Sequence, residues 1–304
     1  MLREEGVHSK SVEVFDNTFI DHEIKNFRPD IVVIEALWVV PEKFTELKQL
    51  NPGVEFVVLL HSDTPFLADE PIAVKWLKAY GKVGVKIAVN SSKMLSDIEA
   101  ILASEIDCPV VHYLPDFYPV RNLDIKPRDR RHIVIGCFGA IRPLKNQLIQ
   151  AIAAIKFANR IGKTLEFHIN GLDVDSSGKP ILENIRQLFA GTPHTLVEDK
   201  WVSHEEFLRS LRHIDIGMQV SLTETFCIVA ADLVSSSVPT VVSPEVVWAA
   251  KSAQTPATDG GEITKKLREV WSERDRIIRE NHFGLEKFVL KSKHIWLRFV
   301  GASE

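Results

Sequence analysis

The sequence predicts an α/β protein built from two Rossmann-like domains, each a parallel sheet with helices on both faces. Three observations predict it. Short apolar runs closed by Gly, Pro, Asn or Asp turns recur along the chain, the mark of strands buried on both faces. Helical segments fall between these runs, and strand–helix alternation builds parallel sheets through right-handed crossovers. At 304 residues the chain has room for two cores. Pro115 to Arg131 (PDFYPVRNLDIKPRDRR) carries three prolines and a charge run without periodicity, as a linker does. The domains are therefore set at 1–118 and 132–304, with 119–131 between them and the terminal helix returning to the first domain.

Taken in order, Leu2 to Gly6 reads as the last turn of a helix ended by glycine, and Ser11 to Phe15 alternates as a short strand. Ile31 to Ile34 follows the turn Arg28-Pro29-Asp30, and Val54 to Leu60 follows Asn51-Pro52-Gly53; both read as buried strands. Lys43 to Leu50, Ile72 to Tyr80 and Ser92 to Ser104 are helical, with Val85 to Val89 and Val110 to Tyr113 as further strands. In the second domain His132 to Phe138, Leu165 to Ile169, Thr195 to Val197, Ile214 to Val220 and Val238 to Val242 are strands. Asn146 to Ile161, Lys179 to Ala190, His204 to Leu211 and most of Glu262 to Val300 are helices.

Composition narrows the function. A net charge of −4 and a pI near 6.3 argue against a general nucleic-acid surface. Residues 1–120 hold 11 Lys and Arg against 19 Asp and Glu, which also disfavours docking on anionic lipid. Cys108, Cys137 and Cys227 form no CxxC pair, so neither a disulfide framework nor a zinc site is expected. Met1 is followed by Leu-Arg-Glu-Glu rather than an apolar run, and no stretch approaches 18 uncharged apolar residues, so neither a signal peptide nor a membrane span is expected and a cytoplasmic location is.

The chemistry centres on Ser221 to Ser243, SLTETFCIVAADLVSSSVPTVVS. A strand precedes it, Thr223 offers an N-cap hydroxyl, and a helix is expected to begin near Thr225, which puts Glu224 at a helix N-terminus. Asp232 lies eight residues on, about 12 Å further along such a helix. A nucleoside diphosphate sugar has roughly that length, and the N–H groups at a helix start suit its diphosphate. The plain alternative is that Glu224 complements the helix dipole and Asp232 is a solvated acid. Gly136 to Gln147 (GCFGAIRPLKNQ) supplies a second loop at the carboxyl end of a strand, where ligands gather in α/β sheets. A cation there can neutralise a leaving diphosphate.

Glu224-x7-Asp232 resembles the E-x7-E signature of retaining glycosyltransferases of family 4, which have the GT-B fold. The loop at Gly139, Arg142 and Lys145 resembles the G-R-x-x-x-x-K loop of that family, with Lys145 on its lysine, Ala140 in its arginine slot and Arg142 two residues late. FHING (Phe167 to Gly171) and VSHEEFLRSL (Val202 to Leu211) extend the likeness, which covers residues 132 to about 245. The usual glycines are replaced by Thr225, Cys227 and Ser237. The resemblance implies sugar transfer from a nucleotide-sugar donor to a carbohydrate or other hydroxyl acceptor, without metal or cofactor. It implies Glu224, Lys145 and His61 as catalytic, and Gly139, Arg142, Lys145, Gly171, Glu224, Thr225, Phe226, Cys227 and Asp232 as donor-binding. His61, in VVLLHSDTPF, would stand near the reacting sugar, with Asp63 and Glu35 as weaker candidates for the acceptor. The opening strand and Gly-rich turn of the family would precede Leu2, so the first domain is expected to be incomplete at its start. His168, His204 and His213 read as structural, and Trp38, Trp76, Trp201 and Trp248 as packing. The altered glycines and Ala140 support an alternative, a nucleotide-sugar binder without transfer that works with a protein partner. A nicotinamide-dependent oxidoreductase ranks far lower, because the sequence has no G-x-G-x-x-G after a strand.

Overall fold

The computed structural model describes residues 1–125, 131–172 and 174–302. The chain divides into two compact units, residues 1–117 with 290–304, and residues 118–289. Residues 126–130 of the expected linker lie outside the described residues.

The first unit is a parallel four-stranded sheet in the order β1-β2-β3-β4, formed by Ile31–Glu35, Glu55–Leu60, Lys86–Val89 and Val111–Tyr113. Helix α1 (Asn17–Phe27) precedes β1, and α2 (Pro41–Leu50), α3 (Ala73–Lys82) and α4 (Leu95–Leu102) fill the connections between the strands. Alternate residues of β2 feed two apolar layers. Phe56, Val58 and Leu60 join Phe44, Leu47, Leu77 and Tyr80 from α2 and α3. Val57 and Leu59 face Ile295, Trp296 and Phe299 at the end of the chain. A sheet that is apolar on both faces needs a cover on each, which is why the terminal residues 290–304 belong to this unit.

Two expectations change here. Ser11 to Phe15 forms no strand. Helix α1 was not foreseen, although Asp16 caps it by accepting from the Thr18 amide at 2.8 Å and Ile20 and Ile24 bury one face at i, i+4 spacing.

The second unit is a parallel five-stranded sheet in the order β7-β6-β5-β8-β9. Its strands are β5 (His132–Gly136), β6 (Thr164–Ile169), β7 (Thr195–Glu198), β8 (Ile216–Gln219) and β9 (Thr240–Val242). One face packs on α5 (Gln147–Arg160), α6 (Lys179–Phe189) and α9 (Gly260–Ser272) through Ile133, Ile135, Phe167 and Met218. The opposite face sends Val134 against Leu208 of α7 (His204–Ser210) and Leu233 of α8 (Ile228–Ser235). Helix α10 (Arg274–Phe299) closes the chain. No helix among the described residues is long and apolar enough to cross a membrane.

Candidate functional site

In the second sheet β5 and β8 are neighbours whose onward connections run to opposite edges, and such a switch point opens a crevice at the carboxyl ends of the two strands. The loops leaving those strands carry Lys145 and Glu224. The Lys145 ammonium donates to both Glu224 oxygens, at 2.8 and 2.9 Å, and the carboxylate is only 4 % exposed. Burial alone would lower the Lys145 pKa, but Glu224 more than offsets it and holds the ammonium above its usual range.

Buried amides fasten the two loops together. Gln150 donates to the Lys145 carbonyl at 2.9 Å and accepts from the Val220 amide at 2.9 Å. Asn146, in the left-handed region at φ 61°, donates to the carbonyls of Val220 and Ala257 at 3.0 and 2.7 Å. The Leu222 amide reaches the Leu144 carbonyl at 2.9 Å. Ser221, on the same loop, and Ser243, just past β9, bury hydroxyls that have no partner among the described residues.

The expected helix at Thr225 is not there. Helix α8 begins at Ile228 with Cys227 at its N-cap, so Glu224 lies four residues ahead of it in the loop and Thr223 is not its cap. The 12 Å estimate along one helix therefore does not describe this pair of acids. Two interactions delay the helix. The Phe226 carbonyl accepts from the Trp248 indole at 2.7 Å, and Cys227 turns the chain at φ 63°. The resemblance had marked Cys227 and Ser237 as glycine positions, and both hold the positive φ that glycine adopts most readily, with Ser237 at 58°. Phe226 buries its ring against Tyr118, Trp248 and Phe288 and belongs to the apolar core. Burial and the nearby Glu224 push the Cys227 thiol well above its usual range. Thr225 lies half-buried in the bend.

Asp232 is not a solvated acid. It is 3 % exposed, and its Oδ1 accepts from the Tyr118 hydroxyl and faces His204 Nε2, both at 2.7 Å. Sequence reasoning missed Tyr118, whose hydroxyl burial and Asp232 make harder to ionise, and read His204 as structural. Neither was legible, since each lies far from Asp232 along the chain.

Gly139, at φ 104°, donates its amide to Asn170 Oδ1 at 2.8 Å. Gly171 has a packing reason, because a Cβ there would lie 2.6 Å from the Glu198 side chain. Arg142 is half exposed and directed at Asp175, 3.4 Å away, while Ala140 offers its carbonyl to Gln147 at 2.9 Å. Trp201 is 56 % exposed and does not pack as expected. His168 stands between Asp199 and Glu166, each at 2.8 Å.

His61 belongs to the first unit, where four strand ends each contribute one polar side chain: Glu35 closes β1, His61 follows β2, Asn90 follows β3 and Asp116 follows β4. His61 Nε2 contacts Glu35, its Nδ1 lies 3.6 Å from Asp116, and Asn90 donates to Asp116 at 2.7 Å. Burial lowers the imidazole pKa, but Asp116 and Glu35 outweigh it and raise the value to about 9. Asp63 is buried, accepts from the Thr64 amide at 3.0 Å and pairs with Lys93 at 2.9 Å.

No family model and no curated protein matches the sequence. Solved structures do match. A UDP-forming α,α-trehalose-phosphate synthase from Burkholderia xenovorans superposes with TM-score 0.66 at 14 % identity, over 93 % of this chain and 77 % of that one. The enzyme of that name and organism in complex with glucose-6-phosphate gives TM-score 0.66 at 12 % identity, over 94 % and 77 %. A structure described as trehalose-6-phosphate from E. coli bound with UDP-2-fluoro glucose gives 0.65 at 11 %, over 94 % and 76 %. At these identities the likeness is one of fold. The chain has the GT-B fold, and the likeness does not reach the particular family 4 to which the signature loop pointed.

Proposed function

We propose that the chain is a metal-independent glycosyltransferase that moves a sugar from a nucleotide-sugar donor to a hydroxyl acceptor with retention at the anomeric carbon. The observation that carries this reading is the buried Lys145–Glu224 pair at the β5/β8 switch point. An ammonium there balances the charge that grows on a departing diphosphate, and a buried carboxylate accepts from sugar hydroxyls. The diphosphate oxygen released by bond cleavage then takes the acceptor proton, so no side-chain base is needed. Asp232, oriented by Tyr118 and His204, takes the ribose end. The GT-B fold supports the reading, as do the UDP-forming synthases among the solved structures that share it. The unpartnered hydroxyls of Ser221 and Ser243 add groups that a polar ligand would satisfy.

The test is a thermal-stability screen with UDP-, GDP- and ADP-sugars. A donor at 100 times its Kd adds about 2.7 kcal/mol. Glu224→Gln should keep affinity for the nucleoside diphosphate and lose the preference for its sugar-bearing form, whereas Asp232→Asn should weaken both by about 1 to 3 kcal/mol. If no donor or nucleotide binds, the reading fails. Donor binding without turnover on any acceptor supports the alternative of a binder without transfer.

A further inference from the structure

The four residues at the strand ends of the first unit carry a charge pattern that says which ligands suit them. Glu35, His61, Asn90 and Asp116 come from four successive parallel strands, at the sheet edge where α/β ligands bind. The group stays open to water, with 38 % of the His61 side chain and 62 % of Glu35 exposed. It combines two carboxylates, an amide and an imidazole, the mixture of acceptors and donors that polyhydroxyl ligands use.

The imidazole contacts one carboxylate through Nε2 and approaches another through Nδ1. Its cation is thus already balanced, and its pKa of about 9 keeps it protonated at neutral pH. One negative charge is left over. The segments just past the four strands, 35–40, 61–64, 90–94 and 114–117, contain two cationic side chains, His61 and Lys93, and Lys93 is paired with buried Asp63. Thr64 is tied to another acid, Asp97, at 2.8 Å. Phosphate recognition calls for an Arg or Lys fork or a cluster of donors, whereas this edge presents an excess of acceptors.

We propose that these strand ends bind an uncharged polyhydroxyl ligand, a free sugar, and discriminate against its phosphate ester. Taken with the transferase reading, on which this role rests, the acceptor is an unphosphorylated sugar-like molecule. Glu35 and Asp116 accept its hydroxyls, and His61 and Asn90 hold those carboxylates in place.

The experiment uses the full chain and matched probes: glucose and glucose 6-phosphate, galactose and galactose 6-phosphate, mannose and mannose 6-phosphate. Saturation-transfer NMR and calorimetry give relative affinities. At least one free sugar should bind about tenfold or more tightly than its phosphate, since an added dianion meets an unbalanced carboxylate at close range. Glu35→Gln, on an exposed side chain that folding tolerates, should narrow that ratio severalfold, and Asp116→Asn should narrow it further. His61→Gln removes the balancing cation and should widen it. Equal or tighter binding of the phosphates, no binding of any free sugar, or a ratio that none of the three variants moves would overturn the proposal. UDP titrated into the same samples separates the two readings. UDP binding without sugar discrimination sinks this inference alone, and sugar discrimination without UDP binding sinks the donor reading alone.

Discussion

Replacing Lys145 by methionine keeps the apolar stem and deletes the ammonium that pairs both Glu224 oxygens. At 2.8 Å and an effective dielectric constant of about 20, the gross attraction is about 6 kcal/mol, most of it offset by the desolvation of two charges. Breaking such a pair from one side still costs about 3 to 5 kcal/mol, because the remaining charge stays buried. The Lys145 side chain is 26 % exposed, which places this case near 3. Lys145→Met/Glu224→Gln leaves no buried charge and should lose about 1 kcal/mol. Urea denaturation on the wild type, both single variants and the double variant yields the coupling energy. Equal losses in the Lys145→Met and double variants would refute the reasoning.

Two further outcomes follow from packing and charge. Gly284→Ala should destabilise by about 1 to 3 kcal/mol although alanine favours helices, because the new Cβ would sit 2.2 Å from the Trp248 carbonyl oxygen in the segment that fixes Phe226; a raised melting temperature would contradict this. The His61 imidazole should titrate by NMR near pH 9 rather than 6.5. The stability that it contributes is then full below pH 6.5 and lost as pH rises through about 9, so the gap between wild type and His61→Gln should close over that window.

Both sheets were legible because their central strands are apolar on both faces, so runs such as Val54 to Leu60 and His132 to Phe138 could not be amphipathic helices. Lys145 and Glu224 were legible for a related reason, since each follows a buried strand and strand ends carry ligands. Local spacing failed where tertiary contacts set the backbone. Thr223 and Glu224 read as a helix start, yet the Trp248 indole, 22 residues on from Phe226, takes the Phe226 carbonyl and holds the helix off until Ile228. The Tyr118–Asp232–His204 contact joins residues up to 114 apart in sequence, and no periodicity reports such a distance. Helix α1 was missed although Asp16 caps it and Ile20 and Ile24 bury one face, the signals of an amphipathic helix.

Ser237 shows how a departure from an expected glycine is resolved locally. Its φ of 58° costs a residue with a Cβ about 1 to 2 kcal/mol relative to ordinary backbone, yet its hydroxyl accepts from the Asp124 amide at 2.8 Å. Two residues earlier in the chain, the Ser235 hydroxyl accepts from the Arg121 amide at 3.0 Å, so the two serines hold residues 121–124 against the end of α8. The side chain thus offsets the strain of its own backbone. Ser237→Ala keeps the strain and loses a hydrogen bond worth about 0.5 to 1.5 kcal/mol, and should fall by about that amount. Ser237→Gly loses the same bond but relieves the strain, while the added freedom of the unfolded chain takes back about 0.4 to 1 kcal/mol, so it should lie close to wild type. The order expected in thermal unfolding is wild type and glycine above alanine. Glycine falling below alanine would show that the left-handed backbone carries no strain, and alanine matching wild type would show that the hydroxyl holds nothing.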